Sequence, residues 1–124
     1  MKTVVFARIT CKGKSLLGQK RSDHKNNANK WGWFGGRLHK QEQIEDTLYR
    51  ELKEEIGEIS FPHFITYIGM LRMKHKIVFI YEIKVDKKFT PVLSEEHQAA
   101  KWCIESTQEN LHPIVKKYNK LIRG

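Results

Sequence analysis

Three glutamates near the middle of the chain have the spacing that brings carboxylates together on a helix. Glu51, Glu54 and Glu55 lie three and four residues apart, and residues at those separations share one face of an α-helix. Carboxylates held this close raise one another's pKa values unless a cation neutralises them. Oxygen ligands suit Mg²⁺ or Mn²⁺ better than zinc. The spacing therefore indicates metal-assisted hydrolysis of a phosphate or pyrophosphate bond.

The competing interpretation is a solvated helix face whose acids are neutralised by nearby lysine and arginine. Two neighbouring features favour the metal site. Gly35 and Gly36 precede the acids and can bring backbone close to a ligand. Arg50 can hold carboxylates in place through bidentate hydrogen bonds. The acids of the same stretch that it can reach are Glu42, Glu51 and Glu54.

The spacing of these residues resembles the Nudix box, the signature of the Nudix hydrolase superfamily. Gly36 is followed after five residues by Glu42 and, after seven more, by the run RELKEEIG that ends at Gly57. Glu58 stands where the family usually has a bulky aliphatic residue. The preceding run WGWFGG is similar to the family's W-x-x-P-G-G, with Phe34 in place of proline. The resemblance covers nearly the whole chain and implies an α/β fold, an α/β/α sandwich built on a mixed sheet.

The resemblance also implies roles for individual residues. Glu51, Glu54 and Glu55 are expected to bind the divalent metal, Mg²⁺ or Mn²⁺, together with a backbone carbonyl at Gly35 or Gly36. Arg50 and Glu42 resemble the family's residues that orient those ligands. The implied reaction is attack of a metal-activated water on a nucleoside diphosphate linked to a variable group X.

The general base is left open by the resemblance, because the family takes it from different places. In MutT-like members, a glutamate in the loop before a tryptophan-containing strand contributes to the metal site. The run EHQAAKW is similar to that arrangement, so Glu96 is the first candidate and Glu95 the second. Glu54 or Glu55 can also serve, and geometry has to decide among them.

Residues that contact the substrate are less clearly marked. Arg21, Lys30 and Arg37 are candidates for binding phosphates. Several aromatic rings are candidates for stacking on a base, although for each of them a place in the core is favoured. These rings belong to Phe79, Tyr81, Trp33 and His112.

The elements that must position these residues follow from hydrophobic periodicity. The stripe Ile44, Leu48, Leu52 and Ile56 predicts a helix over Ile44–Ile56, and Gly57 is a suitable stop for that helix. Alternating or apolar runs predict strands, and Pro113 predicts the start of a final helix with an apolar face. The predicted strands are 3–10, 15–21, an edge strand over 59–68, Lys76–Val85 and 99–105, with an exposed loop over 22–30.

Length and composition restrict the class of protein. A chain of 124 residues is expected to form a single domain, residues 1–124. Its net charge of +9 favours anionic partners such as nucleotides and, as a second candidate, RNA. Cys11 and Cys103 have no metal-binding spacing and are expected to be buried free thiols. Without a signal peptide or membrane helix, a cytoplasmic protein with no membrane partner is expected, either a monomer or a homodimer.

Three functions therefore compete. The first is a nucleoside triphosphate pyrophosphohydrolase of the MutT type, acting on ordinary or oxidised (d)NTPs. The second is a dinucleoside polyphosphate or RNA 5′-end pyrophosphohydrolase, which the basic charge supports. The third is a nucleotide- or RNA-binding module that has lost turnover, and the complete set of acids argues against it.

Overall fold

The computed structural model describes residues 1–59 and 63–122, and within them the chain forms seven strands and two helices. The strands are β1 (Lys2–Cys11), β2 (Lys14–Lys20), β3 (Trp31–Gly32), β4 (Phe34–Arg37), β5 (His63–Arg72), β6 (Lys76–Val85) and β7 (His97–Cys103). The helices are α1 (Ile44–Ile56) and α2 (Pro113–Ile122), and a 3₁₀ turn, Glu105–Thr107, precedes α2. Neither described helix is long and apolar enough to cross a membrane.

Strand β1 is the centre of a mixed sheet. It pairs in parallel with β6, and β5 continues the sheet antiparallel on that side. Its other edge is shared, because β4 pairs with the first half of β1 and β2 pairs with its last residues. Strand β2 then pairs with β3 and β7. The two partners share this edge at different residues of β1, so β4 and β2 follow one another along it.

The two helices cover opposite faces of the sheet. Leu48, Leu52 and Ile56 of α1 pack on one face, against a set that includes Val5, Phe34 and Ile83. Ile114 and Val115 of α2 pack on the other, against a set that includes Leu17, Val78 and Ile80. Alternation along β6 sends successive side chains to opposite faces. The predicted α/β/α sandwich is confirmed.

Helix α1 has the predicted bounds and ends. Asp46 in its first turn accepts a hydrogen bond from the Gln43 backbone N–H at 2.9 Å. The positive end of the helix dipole stabilises the negative charge of acids in this turn. Gly57 ends the helix with φ 83° and donates its N–H to the Lys53 carbonyl at 3.3 Å. A positive φ is accessible to glycine without steric cost. The helix that carries the acids is therefore fixed at both ends by local sequence.

Several predicted strand features shift in the structure. The predicted strand 99–105 is β7, which begins at His97 and ends at Cys103. The predicted edge strand begins at His63, while residues 60–62 lie outside the described residues. Cys11 is a buried free thiol as predicted, whereas Cys103 is only half-buried.

The apolar face of α2 is narrower than the sequence predicts from its five apolar residues, Ile114, Val115, Tyr118, Leu121 and Ile122. Ile114 and Val115 are buried, but Leu121 and Ile122 are each 58% exposed. Asn119 is buried in their place, because its side chain has hydrogen-bond partners at the base of the helix. One of them is the carbonyl of Val115 at 2.9 Å.

Glu105 is the other partner of Asn119 and joins three elements through its carboxylate. Its Oε1 accepts from Asn119 at 2.8 Å, and its Oε2 accepts from Arg8 Nε and Trp33 Nε1, each at 3.0 Å. Glu105 is only 4% exposed. A buried carboxylate is tolerated when its oxygens are paired in this way. The contact links β1, α2 and the segment between β3 and β4.

We expect Glu105→Gln to destabilise the fold by about 2–4 kcal/mol, because a buried ion pair and one hydrogen bond would lose their acceptor. An amide cannot accept from Asn119 at one end and from Arg8 and Trp33 at the other. Urea unfolding followed by circular dichroism measures the change. Glu109→Gln, at an exposed position nearby, is the control and should change stability by less than about 0.5 kcal/mol. Equal stability of the two variants would contradict the prediction.

Candidate active site

The three acids of α1 lie in different environments although they share one part of the helix. Glu51 and Glu55 are buried, at 9% and 2% exposure, while the Glu54 side chain is 58% exposed. The burial arises because α1 packs against β4, where glycines leave room for carboxylates. A Cβ atom on Gly36 would overlap the carboxylate of Glu51. Gly36 therefore gives the acid its space.

Glu55 has one oxygen satisfied and one without a donor. Its Oε2 accepts a hydrogen bond from the Gly35 backbone N–H at 2.8 Å. Its Oε1 is buried and has no hydrogen-bond partner among the described residues. Burial, followed by the nearby Glu96 carboxylate, raises the pKa of Glu55 to about 9. In the absence of a cation, the Glu55 carboxyl is therefore protonated at neutral pH.

Glu96 lies close to the Glu55 carboxylate, in the segment that leads into β7. One ligand atom from each of Glu55, Glu96 and His97 lies within 4.8 Å of the others. Ser94 attaches the segment to the end of α1, since its backbone N–H donates to the Glu55 carbonyl at 3.2 Å. The cluster thus includes the first candidate for the general base; Glu95, the second candidate, is exposed and is not part of it.

His97 is a member of the cluster that sequence reasoning did not select. It is 5% exposed, and neither of its ring nitrogens has a hydrogen-bond partner among the described residues. Its ring lies 4.8 Å from that of Phe34, centroid to centroid. Burial lowers the pKa of His97 to about 4, so the ring is neutral at pH 7. The available signal was its position directly after Glu96.

Arg50 connects the acids of α1 to the loop before the helix. It donates two hydrogen bonds to Glu42, at 2.7 and 3.0 Å, and one to Glu51 at 2.8 Å. It also reaches Glu54 at 3.4 Å and the carbonyl of Arg37 at 2.9 Å. The Arg50 hydrogen bonds hold the pKa of Glu42 down at about 2. By contrast, burial raises the pKa of Glu51 in spite of its bond to Arg50.

This donor set fits a divalent cation. Glu55 and Glu96 supply carboxylate oxygens close together, and the charges of Glu54 and Glu96 both act on Glu51, whose pKa they raise. A buried carboxylate oxygen without a donor needs either a proton or a cation. Hard cations such as Mg²⁺ take ligands of this kind. The unsatisfied oxygen of Glu55 is the observation that supports the fit.

A cavity of about 540 Å³ opens beside the acids and carries a second, basic lining. Glu51 and Glu96 face it, and so do the predicted phosphate-binding residues Arg21 and Arg37. Lys30, the third such candidate, is not among its lining residues. The cavity is also lined by three basic residues that sequence reasoning did not select as phosphate ligands: Lys2, Lys20 and Lys76. A cavity lined by both acidic and basic side chains can bind a metal ion through its carboxylates and phosphate groups through its lysines and arginines.

The floor of the cavity is aromatic and apolar. Phe6, Trp33 and His112 line it, and the Phe6 and His112 rings lie 6.3 Å apart between centroids. Burial lowers the pKa of His112 to about 4, and its Nδ1 accepts from the Ile114 backbone N–H at 3.2 Å. The neutral ring must therefore carry its proton on Nε2. The cavity lining thus includes aromatic rings and, in His112, a neutral imidazole that carries one N–H donor.

Phe79, a candidate for contacting the substrate for which a place in the core was favoured, lies in the core and outside the cavity lining. Its ring packs on the α1 face of the sheet, 6.3 Å from the ring of Tyr67, and does not line the cavity. Tyr81 faces the same side. The strand alternates, so Lys76 rather than Phe79 reaches the cavity.

Comparisons with known proteins agree with this geometry. A family model described as NUDIX domain matches residues 1–123. The CTP pyrophosphohydrolase of Escherichia coli (strain K12) is 31% identical over 101 residues, covering 81% of this chain and 73% of that protein. Two solved structures share the fold. The MutT NUDIX hydrolase from Burkholderia pseudomallei has a TM-score of 0.72 and 18% identity, covering 96% of this chain and 95% of its own. The MutT protein from Methanosarcina mazei Go1 has a TM-score of 0.71 and 22% identity, covering 99% and 96%.

Proposed function

The chain belongs to the Nudix hydrolase family, and we propose that it is a metal-dependent nucleoside triphosphate pyrophosphohydrolase. Family membership makes it a hydrolase of the phosphoric anhydride class. The observation that carries the proposal is a single cavity lined both by carboxylates and by basic side chains. A volume of about 540 Å³ suits one nucleotide.

The metal ligands in this proposal are Glu51, Glu54, Glu55 and Glu96, with the carbonyl of Gly36 and with Mg²⁺ or Mn²⁺ as the cation. When bound, the cation neutralises phosphate charge and lowers the pKa of a coordinated water. Arg50 keeps the carboxylate of Glu51 directed to the cavity through the hydrogen bond at 2.8 Å. Gly35 fixes Glu55 through its backbone N–H.

Glu96 is the residue best placed to accept the proton of the attacking water. It is exposed and lines the cavity, whereas Glu55 is buried and already holds the Gly35 N–H. In the proposed step, water attacks phosphorus, its proton passes to the Glu96 carboxylate, and the bond to the bridging oxygen breaks. The products are a nucleoside monophosphate and pyrophosphate.

The basic residues of the cavity would bind the phosphates, with Arg21 and Arg37 accompanied by Lys20. The charge of Lys20 acts directly on the site, since it lowers the pKa of Glu55. Phe6 and Trp33 would contact the base, and His112 would donate its Nε2–H to a base acceptor. Because one relative is a CTP pyrophosphohydrolase, CTP is the first substrate to test.

We expect release of pyrophosphate and a nucleoside monophosphate from CTP or another (d)NTP with Mg²⁺ or Mn²⁺, and none with EDTA. A panel that includes oxidised dNTPs is assayed by ion-exchange chromatography. Glu54→Gln should lower kcat by about tenfold or more, since it removes one ligand that water can partly replace. Glu58→Gln is the control, because Glu58 is exposed and its carboxylate forms an ion pair with Lys53 at 3.7 Å, away from the cavity. No turnover of any nucleotide would support the binding-module alternative instead.

A second candidate is removal of pyrophosphate from RNA 5′ ends or cleavage of dinucleoside polyphosphates. Basic side chains continue from the cavity onto a neighbouring shallow cavity lined by Lys2, Arg37, Lys74 and His75. A longer anionic substrate would extend along this surface, and its binding would weaken steeply with salt. Faster turnover of triphosphorylated RNA than of any free nucleotide would favour this candidate.

A further inference from the structure

His97 is a buried polar side chain for which the proposed reaction has no use. Neither ring nitrogen has a hydrogen-bond partner among the described residues, and the side chain is 95% buried, as its exposure of 5% shows. A buried polar group without a partner costs about 1–3 kcal/mol. Glu55 Oε1 is also buried and without a donor. Two such orphaned groups close together indicate a shared missing partner.

We propose that His97 is a nitrogen ligand of the metal ion, completing a site with Glu55 and Glu96. One ligand atom from each of the three residues lies within 4.8 Å of the others. A neutral histidine has one nitrogen with a free lone pair, and an ionised carboxylate can only accept. A cation between the two groups would be bound by both lone pairs. This inference rests on the proposed metal-dependent function and adds a ligand to it.

The surrounding chain holds the His97 ring in this position. His97 pairs with Lys20 of β2 next to an irregularity in register, and its ring packs on Phe34. Gly18 makes the space, since a Cβ there would lie 2.7 Å from His97 Cδ2 and 2.7 Å from Phe34 Cζ. A larger residue at position 18 would displace both rings. The ring is thus placed by β2, β4 and β7 together.

An imidazole ligand changes which metals the site prefers. Imidazole nitrogen suits first-row transition metals, whereas Mg²⁺ prefers oxygen donors alone. We expect the protein to bind Mn²⁺ more tightly than Mg²⁺ and to lose much of that preference without His97. The two carboxylates keep the site open to hard cations. The nitrogen therefore sets selectivity within a site that is otherwise built of oxygens.

The direct test is pulsed electron paramagnetic resonance of the whole protein loaded with Mn²⁺. Protein in which only the histidines carry ¹⁵N should show a ¹⁵N coupling between an imidazole and Mn²⁺. Unlabelled protein should show a ¹⁴N coupling in its place. This measurement needs no variant and no substrate. Bound Mn²⁺ without histidine nitrogen coupling would overturn the ligand assignment and leave the proposed function standing. No Mn²⁺ binding at all would overturn both.

A variant series assigns the coupling to one histidine. His97→Gln should abolish the nitrogen signal and weaken Mn²⁺ binding by about tenfold or more, with a smaller change for Mg²⁺. The matched control is His112→Gln, another largely buried histidine with a lowered pKa, and it should keep the signal and the affinity. Circular dichroism verifies that both variants fold. Unchanged Mn²⁺ affinity and signal in folded His97→Gln would overturn the proposal.

Discussion

Replacement of Glu55 by glutamine is expected to lower kcat by about 10³-fold or more while making the metal-free protein more stable. The loss of rate follows because a metal ligand supplies several kcal/mol of transition-state stabilisation. The gain in stability follows because burial, and after it the nearby Glu96, raises the pKa of Glu55 to about 9. Folding at neutral pH therefore requires Glu55 to take up a proton, which a glutamine does not need. The side-chain oxygen of a glutamine would still accept from the Gly35 N–H. Its NH₂ group would stand at the position of Oε1, and it is neutral at every pH, so no charge would be buried.

The sign of the pH dependence comes from the direction of that shift. Between the ordinary value of 4.5 and about 9, the folded metal-free protein holds a proton on Glu55 that the unfolded chain releases. Raising the pH through this window therefore weakens the wild-type fold at this residue. A metal ion replaces the proton, so the increase in Tm caused by Mn²⁺ should be larger at pH 8.5 than at pH 6.

The measurement is a set of thermal unfolding curves at both pH values, with and without Mn²⁺, together with kcat. Glu55→Gln should show a higher metal-free Tm than wild type at pH 8.5 and little increase on adding metal. Glu58→Gln, at an exposed position on the same helix end, should behave like wild type in every measurement. A Glu55→Gln enzyme with normal kcat would remove this residue from the proposed site.

Arg50→Lys is expected to lower kcat by about 10–100-fold and to destabilise the fold measurably, because several charge-assisted hydrogen bonds are lost. The guanidinium holds Glu42, Glu51 and the carbonyl of Arg37 at the same time, with all distances at or below 3.0 Å. A lysine ammonium is a single point charge and cannot span these partners. Glu51, buried and with a raised pKa, would lose its hydrogen-bond donor.

Steady-state kinetics, Mn²⁺ titration and urea unfolding separate the two effects of Arg50→Lys. The metal affinity should fall along with kcat, because Glu51 is no longer oriented, whereas a purely structural role would lower stability alone. Arg72→Lys makes the same chemical change at an exposed position of β5 and should leave all three quantities unaltered. Wild-type metal affinity in Arg50→Lys would contradict the orienting role.

The local sequence determined the parts of this protein that depend on neighbours along the chain. The stripe from Ile44 to Ile56 and the stop at Gly57 set the bounds of α1, because helix periodicity and capping are read within a few residues. The spacing of Glu51, Glu54 and Glu55 placed three carboxylates on that helix for the same reason. The resemblance of the same stretch to the Nudix box implied the family and the fold class before any contact was known.

Only the tertiary structure decided what surrounds those carboxylates. Packing of α1 on β4 buried Glu51 and Glu55 while leaving Glu54 exposed. Helix periodicity puts Glu51 and Glu55 nearer the apolar stripe than Glu54, but the partners of each carboxylate come from distant segments. The register between β2 and β7 placed His97 beside Lys20, and this pairing joins residues far apart in sequence.

The residues whose surroundings differ from the expectation have the same origin. Phe79 was a candidate substrate contact because of its residue type, whereas the alternation of β6 in the assembled sheet turns it to the α1 face. Glu105 was placed in a strand, whereas the three donors that make its burial tolerable come from β1, α2 and Trp33. Side-chain direction and the partners of a buried charge depend on how distant strands pair, and local sequence carries little information about that pairing.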